Sequence, residues 1–204
     1  MDKIDILYLA LPLLLWPVVF IVFSHSFVYA MSVATFILAA FSLWRYRGNI
    51  TWSRKGAARM AAAGIIGAVA LYLAFLAGYY LSVATGMGSY VGLVYSMIYS
   101  QAPRAVIFVL LALIGLFEEI YWRGGMQGYA AKHSRRFGSI PWLASTIYYS
   151  LVHISTLNPV LVLAALLVGL VTSIIADRYG ILASAMAHIA WIEAIIIFLP
   201  VIRI

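Results

Sequence analysis

The chain has 204 residues, 66% of them hydrophobic and only 9% charged, and its 13 basic and 6 acidic side chains leave a net charge of +7. Soluble domains run near ~45–50% apolar and ~25% charged, so a water-soluble monomer is excluded, as are a disordered chain, a coiled coil and a large multidomain enzyme. Lipid must solvate most of the side chains.

A membrane-spanning helix takes roughly 17–25 mostly apolar residues. Ile6 to Phe23 is the first such stretch, with Pro12 and Pro17 as kink points. Ser24-His25-Ser26 then makes a tight turn into a second helix, Phe27 to Trp44. A secretory signal peptide fits poorly, because Asp2 and Asp5 flank the single Lys3 and no small-residue cleavage pattern follows, so this segment is expected to stay in the mature protein. Arg45 to Arg59 is a basic connector without an acid. The third helix, Met60 to Ala84, is rich in Ala and Gly, which lets neighbouring helices approach closely. Thr85 to Arg104 is too broken for a span and reads as a loop with a short interfacial helix, its Tyr90, Tyr95 and Tyr99 at headgroup depth. The fourth helix, Ala105 to Ala130, ends in the basic turn Lys132 to Arg136. Pro141 to Ser155, Pro159 to Ala176 and Ile181 to Leu199 complete the set, the last two joined by Asp177-Arg178-Tyr179-Gly180.

The expected fold is therefore all-α: a polytopic transmembrane bundle of about seven spans, in one integral membrane domain over residues 1–204. N-terminal helices fill 1–100 and a catalytic helical core fills 105–199. Alternation of the spans puts the Arg45 to Arg59 connector, the Lys132 to Arg136 turn and Arg178 on one side, with Arg104 and Arg203 on the other. The positive-inside rule makes the first side cytoplasmic, and the expected location is a prokaryotic plasma (inner) membrane. The positive charge does not indicate nucleic acid, since no soluble segment is long enough for a recognition module. With no cysteine, disulfides, thiolate metal sites and a cysteine nucleophile are excluded as well.

Of the six acids, Asp2, Asp5 and Asp177 lie at helix ends or turns. Glu118 and Glu119 instead stand inside the fourth helix, where an ionisable side chain costs at least ~2.5–3.5 kcal/mol and is a functional candidate by default. Arg123 follows Glu119 at the i,i+4 spacing that joins carboxylate and guanidinium on one helix face. A structural ion pair accounts for those two alone, but not for the second carboxylate. His153 and His188 lie inside the fifth and seventh spans. A lone membrane histidine is more often an interhelical hydrogen bonder, yet depth groups these with the acids. At ~1.5 Å per residue, Glu118 and His153 each lie roughly 18 Å from the cytoplasmic ends of their helices and His188 roughly 11 Å. A shared polar pocket, reached from the cytoplasmic side, is the reading that follows.

Side-by-side carboxylates with an arginine near one of them can be driven to different proton affinities, which is how a site obtains a base at neutral pH. Glu118 can then deprotonate water with His153 assisting, while His188 stabilises the oxyanion formed at a carbonyl. No cofactor is needed for this. The other chemistry is a zinc ion on Glu118, His153 and His188, assembled from separate helices because the sequence has no His-Glu-x-x-His.

These residues resemble the CPBP intramembrane proteases, which include the Ras-converting type of CAAX prenyl endopeptidase and bacterial abortive-infection-like proteins. The family's Glu-Glu-x-x-x-Arg matches Glu118-Glu119-Ile120-Tyr121-Trp122-Arg123. Its Phe-x-x-x-His corresponds to Tyr149-Ser150-Leu151-Val152-His153, with Tyr in the aromatic position. Its His-x-x-x-Asn or Asp corresponds to His188-Ile189-Ala190-Trp191-Ile192, where the amide or acid is missing. The resemblance covers residues 105–199. It implies that Glu118 activates water, Glu119 and Arg123 organise the site, His153 assists, and His188 belongs to the oxyanion hole. Ile192 cannot donate a hydrogen bond, and Glu193 points about 100° away around the helix.

The expected function is a glutamate-type intramembrane endopeptidase acting on a membrane-associated peptide or protein near the cytoplasmic face. Its substrate would be a peptide or a C-terminal sorting signal, as for myxosortase-like relatives, rather than a prenylated CAAX protein. A non-catalytic immunity or scaffold protein is the second reading, to which the missing amide lends weight. A proton-coupled transporter is the third, although no inverted repeat is visible.

Overall fold

A computed structural model describes residues 2–133 and 140–202. Helix α1, Lys3–Pro17, starts at an Asp2 cap whose carboxylate accepts the Asp5 amide N–H at 2.7 Å. That amide, together with the Arg45 guanidinium 3.1 Å away, holds the Asp2 carboxyl below the usual carboxylate range. Past Pro17 the helix loosens into a π-helical turn, Val18–Val22. Helix α2 is Phe27–Arg45, α3 Ala57–Ala84 and α4 Gly88–Tyr99. Helix α5, Arg104–Glu119, passes without a break through a π-helical stretch, Ile120–Met126, into α6, Gln127–Lys132. Helices α7, Pro141–Val152, and α8, Pro159–Tyr179, both begin with proline at the first turn, where its missing N–H costs nothing. Helix α9, Ile181–Glu193, ends in a π-helical turn, Ala194–Phe198.

Six of these helical runs are long and apolar enough to cross a membrane, one fewer than expected. The expected fifth span is the exception. Helix α7 holds 12 α-helical residues and then a 3-10 turn, His153–Thr156, that Leu157 closes in the left-handed conformation at φ +53°. It nonetheless runs antiparallel to α8: Thr146 Oγ1 meets Ser173 Oγ at 3.2 Å and the Ser150 hydroxyl donates to the Val162 carbonyl at 2.9 Å. The larger rise of the 3-10 turn, ~2.0 Å per residue, lets a short segment keep pace with its neighbour.

The direction of the chain thus alternates, and one end of the bundle gathers basic residues. The Arg45 to Arg59 connector is stitched to the last turn by Arg54 N–H to the Tyr179 carbonyl and Ile181 N–H to the Thr51 carbonyl, both 3.0 Å. Lys132 and Arg178 end their helices beside it, whereas Arg104 lies at the opposite end. Of the basic turn after α6, residues 134–139 lie outside the described residues, as does Arg203.

Close approach of α3 to its neighbours bears out its small-residue face. A Cβ on Gly64 would stand 2.8 Å from the Met186 Cβ, and one on Gly67 would stand 2.4 Å from the Ile175 Cδ1. Helix α4 differs from expectation in what its tyrosines do. Tyr95 is buried, and its hydroxyl donates to the Ile195 carbonyl at 2.6 Å. Tyr99 reaches the Ile196 carbonyl and Arg104 the Ile197 carbonyl. The end of a helix leaves its last carbonyls without intrahelical partners, and these three side chains supply donors there.

Candidate active site

The two carboxylates sit where α5 changes form. Glu118 and Glu119 are its last residues, and the π-helical stretch beginning at Ile120 carries Arg123. Such widened turns inside α-helices are frequent at functional sites because they re-aim side chains. Gly125 completes this region. A Cβ there would fall 2.1 Å from the Tyr8 hydroxyl and 2.6 Å from Ser42 Oγ, so only glycine lets α1 and α2 close against the motif-bearing helix.

Four of the five expected residues form one connected cluster. The His188 Nδ1–H donates to Glu119 Oε1 at 3.0 Å, and its Nε2 lies 3.7 Å from Glu118 Oε2. Arg123 Nη1 is 3.6 Å from Glu119 Oε1, and its guanidinium carbon stands 4.7 Å from the centre of the Tyr149 ring. All four are almost fully buried, Glu119 completely so. One oxygen of each carboxylate, Glu118 Oε1 and Glu119 Oε2, has no hydrogen-bond partner among the described residues. Charge of this kind inside an apolar bundle is costly, and mutual pairing offsets part of that cost.

His153 stands apart in its bonding. Its Nδ1–H must donate to the Tyr149 carbonyl 2.7 Å away, because a carbonyl only accepts, and its Nε2 accepts the Trp16 indole N–H at 3.1 Å. Both ring nitrogens are engaged in the neutral form. The side chain lines the same cavity as Glu118. Among the described residues no group of three or more His, Asp or Glu side chains is placed to hold a metal ion. The set Glu118, His153 and His188 does not fit one here, since the imidazole of His153 has no free nitrogen.

Two contacts in the site were not foreseen. The Tyr149 hydroxyl donates to Glu118 Oε2 at 2.9 Å, a contact that phenylalanine could not make. Its only sequence signal was tyrosine in an aromatic motif position. Trp16 comes from α1, 137 positions away from His153, and nothing local to either residue announces the pairing.

A cavity of about 190 Å³ lies against Glu118, Tyr149, His153 and His188, and the rest of its wall is almost entirely apolar. It extends away from the basic end. Its lining continues through Leu111 and Ile114 of α5 and Val160 and Leu161 of α8 to Val94 and Ile98 of α4. The entrance expected at the basic end is corrected accordingly. A polar cavity of about 230 Å³ does open there, among Asn49, Arg54, Lys132 and Asp177, but it ends on Arg123 and does not include Glu118, His153 or His188. Ile192 lines the catalytic side and offers no polar atom; Glu193 does not line it and is buried elsewhere with both oxygens unpartnered.

The architecture is that of a polytopic helical membrane protein whose ionisable groups are gathered inside the bundle. Residues 100–192 match the family model described as type II CAAX prenyl endopeptidase Rce1-like. The matched segment takes in the paired glutamates, Arg123, Tyr149, His153 and His188, so the cluster lies wholly inside the region that is similar to this family. No curated protein and no solved structure matches the chain.

Proposed function

We propose that the protein is an intramembrane endopeptidase in which Glu118 activates a water molecule. The observation that carries this is the position of Glu118, which meets the cavity with one carboxylate oxygen unpartnered and the other facing His188 and Tyr149. In this reading the free oxygen takes a proton from water as the hydroxide adds to the scissile carbonyl carbon. Collapse of the tetrahedral species breaks the C–N bond, and the same proton passes to the departing amine. With both glutamates ionised and Arg123 charged, an imidazolium at His188 brings the cluster to zero net charge and presents its Nε2–H to the developing oxyanion.

The third motif lacks a second donor at Ile192. Tyr149 fills that role here: its hydroxyl and His188 Nε2 flank the same Glu118 oxygen, so both can turn to an oxyanion in the adjoining cavity. His153, bonded to the Tyr149 carbonyl, acts as a positioning residue for that helix turn. The substrate is a membrane-associated peptide or protein, such as one bearing a C-terminal sorting signal, as against a prenylated CAAX protein.

The experiment is cleavage of a library of synthetic membrane peptides by purified protein in detergent, with products read by mass spectrometry. Tyr149→Phe restores the family's usual residue and removes the hydroxyl. It is expected to lower kcat by roughly 10²–10³-fold, the effect of losing one oxyanion donor, while KM stays within a few-fold. Unchanged turnover in Tyr149→Phe would sink the oxyanion role. Exhaustive chelation of divalent metal is expected to leave wild-type cleavage intact, and activity lost on chelation and regained with zinc would overturn the metal-free mechanism. A wild-type protein that cleaves no peptide while still conferring bacteriocin immunity would favour the scaffold reading.

A further inference from the structure

We infer that the substrate reaches the catalytic cluster from the face opposite the basic loops, through the cavity beneath α4, and that its segment there is an uncharged, bulky apolar stretch of a polypeptide on the extracytoplasmic side. This rests on the protease reading and adds the side of access and the class of peptide.

Three observations carry it. The first is where the cavity runs. Glu118 lies 14 residues from each end of the Arg104–Lys132 helical run, ~21 Å in either direction, so the carboxylates stand at mid-depth. From them the apolar cavity extends toward the Arg104 end and is covered by Val91, Val94 and Ile98 of α4. The second is the asymmetry of charge. The Arg45 to Arg59 connector, Lys132 and Arg178 collect at one end, while Arg104 at the other is turned to the Ile197 carbonyl. Positive residues mark the cytoplasmic side, so the cavity faces outward. The third is the wall itself. Beyond the catalytic groups it is built from side chains such as Phe20, Met31, Leu111 and Val168, and a charged substrate residue would lose its hydration there without a partner. The volume of about 190 Å³ compares with the ~150 Å³ apolar cavity that accepts benzene, so it holds one large apolar side chain next to the scissile bond.

The polar cavity at the basic end does not compete as a substrate route. The Glu119–Arg123 pair and the Tyr149 ring stand between it and Glu118. Helix α4, in contrast, is a short cover held at separate points. The Asn158 amide donates to the Tyr90 carbonyl at 3.0 Å, and beyond the helix the Gln101 side chain accepts Val28 N–H at 3.0 Å and donates to the Ser24 carbonyl at 2.8 Å.

The chain contains no cysteine, so single-cysteine labelling tests this without any assay of cleavage. Ser100→Cys marks the α4 end, Ser53→Cys the basic connector and Ile192→Cys the cavity. A membrane-impermeant thiosulfonate carried on an uncharged oligo(ethylene glycol) chain is applied to intact bacterial cells and to permeabilised ones. Ser100→Cys and Ile192→Cys are expected to react in intact cells, and Ser53→Cys only after permeabilisation. In purified protein a synthetic Leu-rich hexapeptide amide should slow labelling of Ile192→Cys at least tenfold, and a Lys-rich or Glu-rich hexapeptide of the same length should not. Labelling of Ser53→Cys in intact cells, labelling of Ile192→Cys only alongside a cytoplasmic Ser53→Cys, or equal protection by the charged peptides would each overturn the proposal. The expected labelling pattern in a protein that shows no Glu118-dependent cleavage would sink the protease reading alone and leave the access face standing.

Discussion

Glu118→Gln is expected to abolish peptide cleavage while leaving the folded protein nearly as stable as the wild type. The amide has the shape of the carboxylate, and its carbonyl oxygen still accepts the Tyr149 hydroxyl, which now lies 2.9 Å from Oε2. What it cannot do is take a proton from water. Removing a positioned general base costs roughly 10²–10⁴-fold in rate, and at a site with no second carboxylate free for the task the upper end applies. Glu119 is no substitute, because it does not line the cavity that Glu118 meets, and its Oε1 is held by His188 at 3.0 Å and faces Arg123 at 3.6 Å. The measurement is kcat by mass spectrometry beside the unfolding midpoint in detergent. A Gln variant that keeps more than a tenth of wild-type turnover would remove Glu118 from the chemistry.

Glu119→Leu should act mainly on stability. Among the described residues its carboxylate is the only acid within 4 Å of the Arg123 guanidinium, it is the hydrogen-bond acceptor of His188, and none of the three Arg123 nitrogens makes a hydrogen bond. Deleting one partner of a buried ion pair strands the other charge, at a cost of about 3–5 kcal/mol. The double variant Glu119→Leu, Arg123→Met removes both charges and refills the space with apolar atoms. It is expected to recover at least ~2 kcal/mol over the single variant, as buried ion pairs replaced by hydrophobic groups of like volume often do. Unfolding in denaturing detergent measures both. A double variant no more stable than the single one would show that Arg123 is held by its stacking on Tyr149 and not by Glu119. Neither variant should cleave peptide, because the orientation of His188 is lost in each.

Much of this was legible along the chain because lipid simplifies the reading. In an apolar solvent each backbone polar group must be bonded within the segment, so long apolar stretches could only be helices, and the bounds of α2, α3 and α8 fall within a few residues of expectation. The same solvent makes a buried charge rare enough to be conspicuous, which singled out Glu118, Glu119, Arg123, His153 and His188. The span that went astray, α7, is short because a 3-10 turn and a left-handed Leu157 end it, features that hydropathy does not register. The contacts of the α4 tyrosines were hidden for a related reason. An aromatic residue at a membrane boundary reads as a belt residue, and only the frayed carbonyls after Glu193 show why Tyr95 and Tyr99 turn inward.

By itself, the sequence determined the solvent, the helical class, the end of the bundle that carries the positive charge, and the short set of ionisable residues that lipid would not tolerate without a use. Those follow from composition and spacing, which are properties of single helices. The tertiary structure decided which of these residues meet. It joined His188 to both glutamates, tied His153 to Trp16 instead, put a tyrosine hydroxyl on Glu118, and set the apolar cavity on the side away from the basic loops. Contacts between helices depend on rotation and register, and every face of a lipid-solvated helix carries much the same Leu, Ile and Val, so the pairing of faces becomes visible only when the helices are packed.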